Sequence, residues 1–169
     1  MRPSSSSDAG DEIDRQLQRL LAPSGDAQYQ RVRREALDWL LAHADDAYPR
    51  LLAIVDATEP PALAVLALAE FRRADAVPAL ERVLNESADP TVVMASTALA
   101  KLNVPSARAA LERALRAERD QVVASAADGL GELGDPEACG ALAAARRHPS
   151  PDVRARIREA AILLGCTEG

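Results

Sequence analysis

Aromatic side chains are nearly missing from this chain: one Trp, two Tyr and one Phe make up 2 % of its 169 residues. Ring packing therefore contributes little to its core, which has to be closed by small and aliphatic side chains that let helices lie close together. Histidine occurs twice, as His43 and His148, far apart and neither next to a glutamate. A His/carboxylate metal site thus lacks its ligands, and no cofactor is expected. Cysteine also occurs twice, as Cys139 and Cys166, outside any C-x-x-C pair. That spacing supports neither a disulfide framework nor a zinc knuckle. The expectation is a small buried residue at Cys139 and a free thiol near the end at Cys166. No apolar run approaches the ~20 residues of a membrane span; the longest, Pro60 to Ala69, suits a buried helix. MRPSSSSDAG at the start has no apolar stretch of the secretory kind. The expected compartment is a reducing cytoplasm. Positive charge is in deficit, with a formal net charge of −6. That argues against nucleic acid as the main partner, because phosphate binding rests on Lys and Arg.

What the chain does have is alanine and a repeat. DQVVASAADGLGELGD, Asp120 to Asp135, places Val122, Ala126, Leu130 and Leu133 on one helical face, stopped by Gly134. The face returns 31 residues later as Val153, Ile157, Ala161 and Leu164, and 31 earlier as Thr91, Ala95, Leu99 and Leu102. A further step back gives Pro60, Ala64, Leu68 and Phe71. Val32, Ala36, Leu40 and His43 precede these by 28, so the first repeat is slightly short. A second helix follows each of the first four, marked by Leu51, Leu80, Leu111 and Leu142. A period of this length built from helix pairs predicts an all-α, α-α superhelix, right-handed, of about ten helices without strands.

The expected organisation is a disordered, serine-rich tail over 1–10 and one repeat domain over 11–169. Within it, a cap helix over 11–25 carries Ile13, Leu17, Leu20 and Leu21 and stops at Pro23-Ser24-Gly25. Four helix pairs fill 26–150, and an unpaired helix occupies 151–165. Asp89-Pro90, Asp135-Pro136 and Ser150-Pro151 each predict a capping side chain before a proline in the first helical turn.

The runs VRREALDWL, VVASAADGLGELGD and VRARIREAAILLG resemble the HEAT-like repeats first described in phycobilin lyases. Val32-Arg33 and Val153-Arg154 match that family's opening, and Leu130-Gly131, Leu133-Gly134-Asp135 and Pro136 its close. Pro60-Pro61, Thr91-Val92 and Val122-Val123 depart from it in lacking the arginine. The resemblance covers roughly Gln28 to Gly165 and implies a fold rather than an activity. Relatives that are enzymes use His-Glu pairs on iron, or a basic cleft with aromatics, and neither pattern is present here. The carboxylates Asp45-Asp46 and Glu118/Asp120 fall at helix starts, where they suit the helix dipole.

Two functions follow, and no catalytic residue is assigned in either. The chain is a non-catalytic scaffold or adaptor that binds another protein, or a regulatory or lyase-like subunit that serves a catalytic or cofactor-bearing partner. Two surfaces are candidates. On the first helices, positions opposite the core read Glu35 and Asp38, then Leu63 and Leu66, then Met94 and Thr97 with Val93 beside them, then Ser125 and Asp128. Leu63, Leu66, Val93 and Met94 thus form an expected outer apolar patch for a partner's amphipathic helix or a second copy of the chain, unless the N-terminal helix folds over it. On the second helices, Arg82, Arg113, Arg116 and Arg147 form an arginine row that would suit an acidic segment of a partner. The alternative is a solvated face on which Glu112 pairs with Arg116. Tyr29, Trp39 and Tyr48 are expected in packing, with a binding hot spot as the alternative.

Overall fold

A computed structural model of the chain describes residues 6–23, 27–88 and 90–166. These hold ten α-helices and no strand. In order they are α1 Ser6–Leu21, α2 Ala27–Ala42, α3 Ala44–Val55, α4 Ala62–Glu70, α5 Val77–Glu86, α6 Thr91–Leu102, α7 Pro105–Ala114, α8 Asp120–Leu133, α9 Cys139–Ala145 and α10 Pro151–Leu163. The sequence is one leading helix, four pairs and a terminal helix. Helix α1 begins at Ser6, so half of the stretch expected as a tail is helical. Residues 1–5, and Ser24 and Gly25 of the expected stop, lie outside the described residues.

Backbone conformation repeats with the same period as the leucines. Every positive φ among the described residues falls on one register: Arg72 at 52°, Asn103 at 49°, Gly134 at 72° and Gly165 at 67°. Each stands 31 residues after the last and ends the first helix of its repeat. The left-handed residue turns the chain so that orphaned carbonyls find donors. Gly134 N–H reaches Leu130 O at 3.2 Å and Asn103 N–H reaches Ala100 O at 3.1 Å. Helix starts follow the proline rule at Pro105 and Pro151. Of the expected caps, Asp135 accepts from Glu137 N–H at 3.0 Å. Ser150 makes no side-chain cap, so proline alone opens α10. Asp89 lies outside the described residues.

The most extensive interfaces run between successive first helices, α4 on α6, α6 on α8 and α8 on α10. Each second helix also packs against the first helix that follows it. The core is aliphatic: Leu51, Leu68, Leu80, Leu99, Leu111 and Leu130 are fully enclosed and Leu142 is 1 % exposed. Phe71 and Leu133 are half-buried instead of buried, whereas their equivalents Leu102 and Leu164 are buried. Close helix contact depends on small residues. At Gly129, an added Cβ would sit 3.0 Å from Leu111 Cδ2 and 3.0 Å from Ser96 Oγ. Ser96 in turn donates to Ser125 O across the α6–α8 seam at 2.7 Å.

The row of first helices is broken once. Helix α2 packs against α1 and α3 and has no interface with α4 comparable to those further along. Helix α1 covers α2 with Ile13, Leu17 and Leu20, each at most 5 % exposed, and also touches α3 and α4.

The cysteines correct the expectation from spacing. Cys139 and Cys166 form a disulfide, with Cα atoms 5.6 Å apart. Neither is free, and both are half-buried. A local motif search misses the pair because its proximity comes from the repeat. The first turn of a second helix lies beside the end of the next first helix.

Candidate functional site

The outer positions of the first helices do not all point away from their neighbours. Ser125 is 5 % exposed, and Asp128 meets Arg156 of α10 at 3.7 Å. Lys101 of α6 likewise reaches Glu70 of α4 at 2.6 Å. These positions flank the seam between adjacent first helices, because a stacked helix is buried over a wider arc than the four-residue face that defines its core. The expected polar–apolar–polar outer face is therefore incomplete. Burial pushes the Asp128 carboxyl above its ordinary range, outweighing the Arg156 guanidinium beside it.

Of the four apolar patch residues, Leu63 is 37 % exposed and Val93 42 % exposed. Leu66 and Met94 are half-buried, with Met94 packed against the core. Helix α1 leaves Leu63 and Val93 open; its buried leucines are spent mainly on α2. The broken row explains Leu63. Its equivalents one and two repeats on, Met94 and Ser125, are progressively enclosed, and Ser125 lies against the preceding helix α6 through its carbonyl. Helix α4 has no stacked α2 to provide the same cover.

The largest exposed hydrophobics are elsewhere, at Ile162 (78 %) and Leu163 (69 %) near the end of α10. They carried a signal in the sequence. Leu163 follows Glu70, Lys101 and Glu132 on the 31-residue register, where the earlier repeats have charge.

The arginine row is half consumed by the stack. Arg113 of α7 donates to Glu81 of α5 through Nε at 2.7 Å and Nη2 at 2.8 Å. Arg82 donates to Val55 O at the end of α3 at 2.8 Å and lies 3.6 Å from Asp56. Among the described residues, Arg116 and Arg147 are exposed and have no such tie. Glu112 pairs with Arg108, at 3.6 Å, instead of the expected Arg116.

The same backward reach occurs at Arg50 of α3, which donates to Gly10 O at 3.2 Å and Asp14 at 2.5 Å on α1. A forward set of ties uses one position on the second helices, three residues before the marker leucine. Tyr48 donates to Asp75 at 2.6 Å, and Arg108 to Asp135 at 2.9 Å and to Glu137. Arg73 also holds Asp75, at 2.9 Å, and lies 4.1 Å over the Tyr48 ring. Arg73 and then Tyr48 keep the Asp75 carboxyl below its ordinary range. Burial, followed by the bond to Asp75, raises the Tyr48 hydroxyl.

The aromatic residues are thus dispersed. Tyr48 packs against Phe71 with centroids 5.6 Å apart, Trp39 stacks on His43 at 3.8 Å, and Tyr29 lies under Arg33 at 5.9 Å. The His43 ring bonds Trp39 O at 2.8 Å. Among the described residues, no three His, Cys, Asp or Glu side chains converge in a metal-holding group. No described helix is long and apolar enough to cross a membrane.

Stacked helix pairs with a buried leucine ladder, a left-handed stop after each first helix from α4 onward and side-chain ties from repeat to repeat define an α-solenoid. The family model for HEAT repeats matches residues 48–127 and 93–162, and the chain belongs to the HEAT-repeat proteins. Among curated proteins, none matches it.

Proposed function

We propose that the chain is a non-catalytic protein-interaction scaffold whose contact surface is the outer seam of α4 and α6. The observation that carries this is the exposure of two large aliphatic side chains, Leu63 and Val93, on adjacent helices, next to half-buried Leu66 and Met94. At its Leu63 edge the surface borders the interruption between α2 and α4, so an amphipathic helix of a partner would bury area that α2 leaves open. Arg116 and Arg147, free of ties on the second-helix side, would bear on an acidic segment of the same partner.

Leu63→Glu with Val93→Glu is the direct test, because both side chains are exposed and the fold keeps its core. The double variant should show an unchanged circular dichroism spectrum and lose the protein captured by the wild type from its native host. Arg116→Ala with Arg147→Ala should weaken that capture and reduce its sensitivity to salt. Retention of the partner by the folded Leu63/Val93 variant would sink the assignment of the surface.

A further inference from the structure

We propose that Cys139 and Cys166 form a thiol–disulfide latch on the terminal helix α10, closed when oxidised and open when reduced. Three observations converge on it. First, the bond occupies a register used for fastening elsewhere in the stack. Tyr48, Arg108 and Cys139 each stand three residues before a marker leucine, Leu51, Leu111 and Leu142. Each is joined to a residue 27 positions ahead, in the segment after the next first helix. The first two joints are a hydrogen bond and an ion pair, and the third is covalent.

Second, α10 is packed on one side and open on the other. It packs on α8 and α9, and among the described residues no helix covers the outer side, where Ile162 and Leu163 are exposed. Its start is held by Arg154, which donates to His148 O at 2.8 Å and Pro149 O at 2.7 Å. At its far end the fastening joint is the disulfide. Third, the backbone presents the thiol. Gly165 turns left-handed, and Cys166 N–H bonds Ala161 O at 2.9 Å, which folds the chain back towards α9.

Both sulfur-bearing residues are half-buried, so neither is sealed within the core. In opening, one thiolate of a dithiol reductant attacks one Sγ. The S–S bond breaks, and its electron pair leaves on the other Sγ, which takes a proton. The reductant's second thiolate then resolves the mixed disulfide, freeing the remaining cysteine as a thiol and oxidising the reductant to its own disulfide. Closing is the reverse exchange with an oxidised dithiol. With the latch open, α10 is held by packing, by Arg154 at its start and by the Arg156–Asp128 pair to α8, and the α8 surface around Gly131 and Leu130 opens more often.

Hydrogen exchange of the full chain, followed by mass spectrometry with and without dithiothreitol, tests this independently of any partner. Without reductant, the native protein should yield a Cys139–Cys166 linked peptide. On reduction, amides over 157–164 should exchange on the order of a hundredfold faster, as expected for releasing a loop of this length, while those of α4 and α6 keep their rates. Cys166→Ser should exchange like the reduced wild type and ignore dithiothreitol. Absence of the linked peptide, equal α10 exchange in both states, or an acceleration shared equally by α6 would each overturn the latch.

Discussion

Gly129→Ala isolates how tightly the solenoid is closed. In a free helix the change is favourable by about 0.8–1.0 kcal/mol, because alanine loses less backbone entropy. In α8 the new methyl would meet Leu111 Cδ2 and Ser96 Oγ at 3.0 Å and Ser96 O at 3.2 Å. Two of these three atoms belong to one short residue, and one is backbone, so the seam has to open. Overpacking of this kind costs about 1–3 kcal/mol. Displacing the Ser96 hydroxyl also breaks its 2.7 Å bond to Ser125 O, which adds about 1 kcal/mol. The net expectation is destabilisation by roughly 1–3 kcal/mol. Urea unfolding followed at 222 nm should show a lower midpoint with an unchanged slope. Gly140→Ala is the control, since nothing lies within 4 Å of its added Cβ; it should raise stability by about 0.5–1 kcal/mol. Ser96→Ala combined with Gly129→Ala removes one contact and should recover part of the loss. If Gly129→Ala is as stable as the wild type or more so, the close approach of α6 and α8 is refuted.

Two other perturbations have definite signs. Arg72 is an exposed residue held at φ 52° where later repeats place Asn and Gly; Arg72→Gly should therefore stabilise the chain by about 0.5–1 kcal/mol, read as a higher melting temperature. Because the folded Asp75 carboxyl is held below its ordinary range by Arg73 and Tyr48, its contribution is present above the unfolded value near pH 4 and is lost as pH falls through the folded value. Tyr48→Phe should cost about 1–2 kcal/mol at pH 7 and flatten the acid limb of the stability–pH curve, and a variant curve parallel to the wild type below about pH 4 would contradict the assigned bond.

The period, the helix count and the leucine core were legible because each repeat has to bury the same face, so Leu99, Leu130 and their equivalents recur at one spacing. The sides of the first helices were less legible. Ser125 looks like a surface residue by composition, yet it lies in a seam whose width depends on how closely α6 and α8 approach. That approach depends on Gly129 and on Ser96 of the preceding repeat, 33 residues back in the chain. The arginine row illustrates another limit: a charge pattern marks which side chains are exposed enough to bond, and the partner of Arg113 turned out to be Glu81 in the same stack. The disulfide needed the three-dimensional register itself, since nothing local distinguishes Cys139 from a small core residue. Ile162 and Leu163 were readable in principle, as an apolar intrusion on a charged register.

The polar ties between the helix pairs have a consequence for how the two ends of the molecule could communicate. Arg50–Asp14, Arg82–Val55, Lys101–Glu70, Arg113–Glu81 and Arg156–Asp128 each link one layer of the stack, whether a helix pair or an end helix, to its neighbour, and none reaches two away. The proposed contact residues Leu63 and Val93 share no polar tie with the Cys139–Cys166 latch. The most extensive packed route from the latch to that surface is α8 on α6, where Ser96 and Gly129 are wedged together. The same residue that sets how tightly the stack closes therefore also sets how much one end can sense of the other.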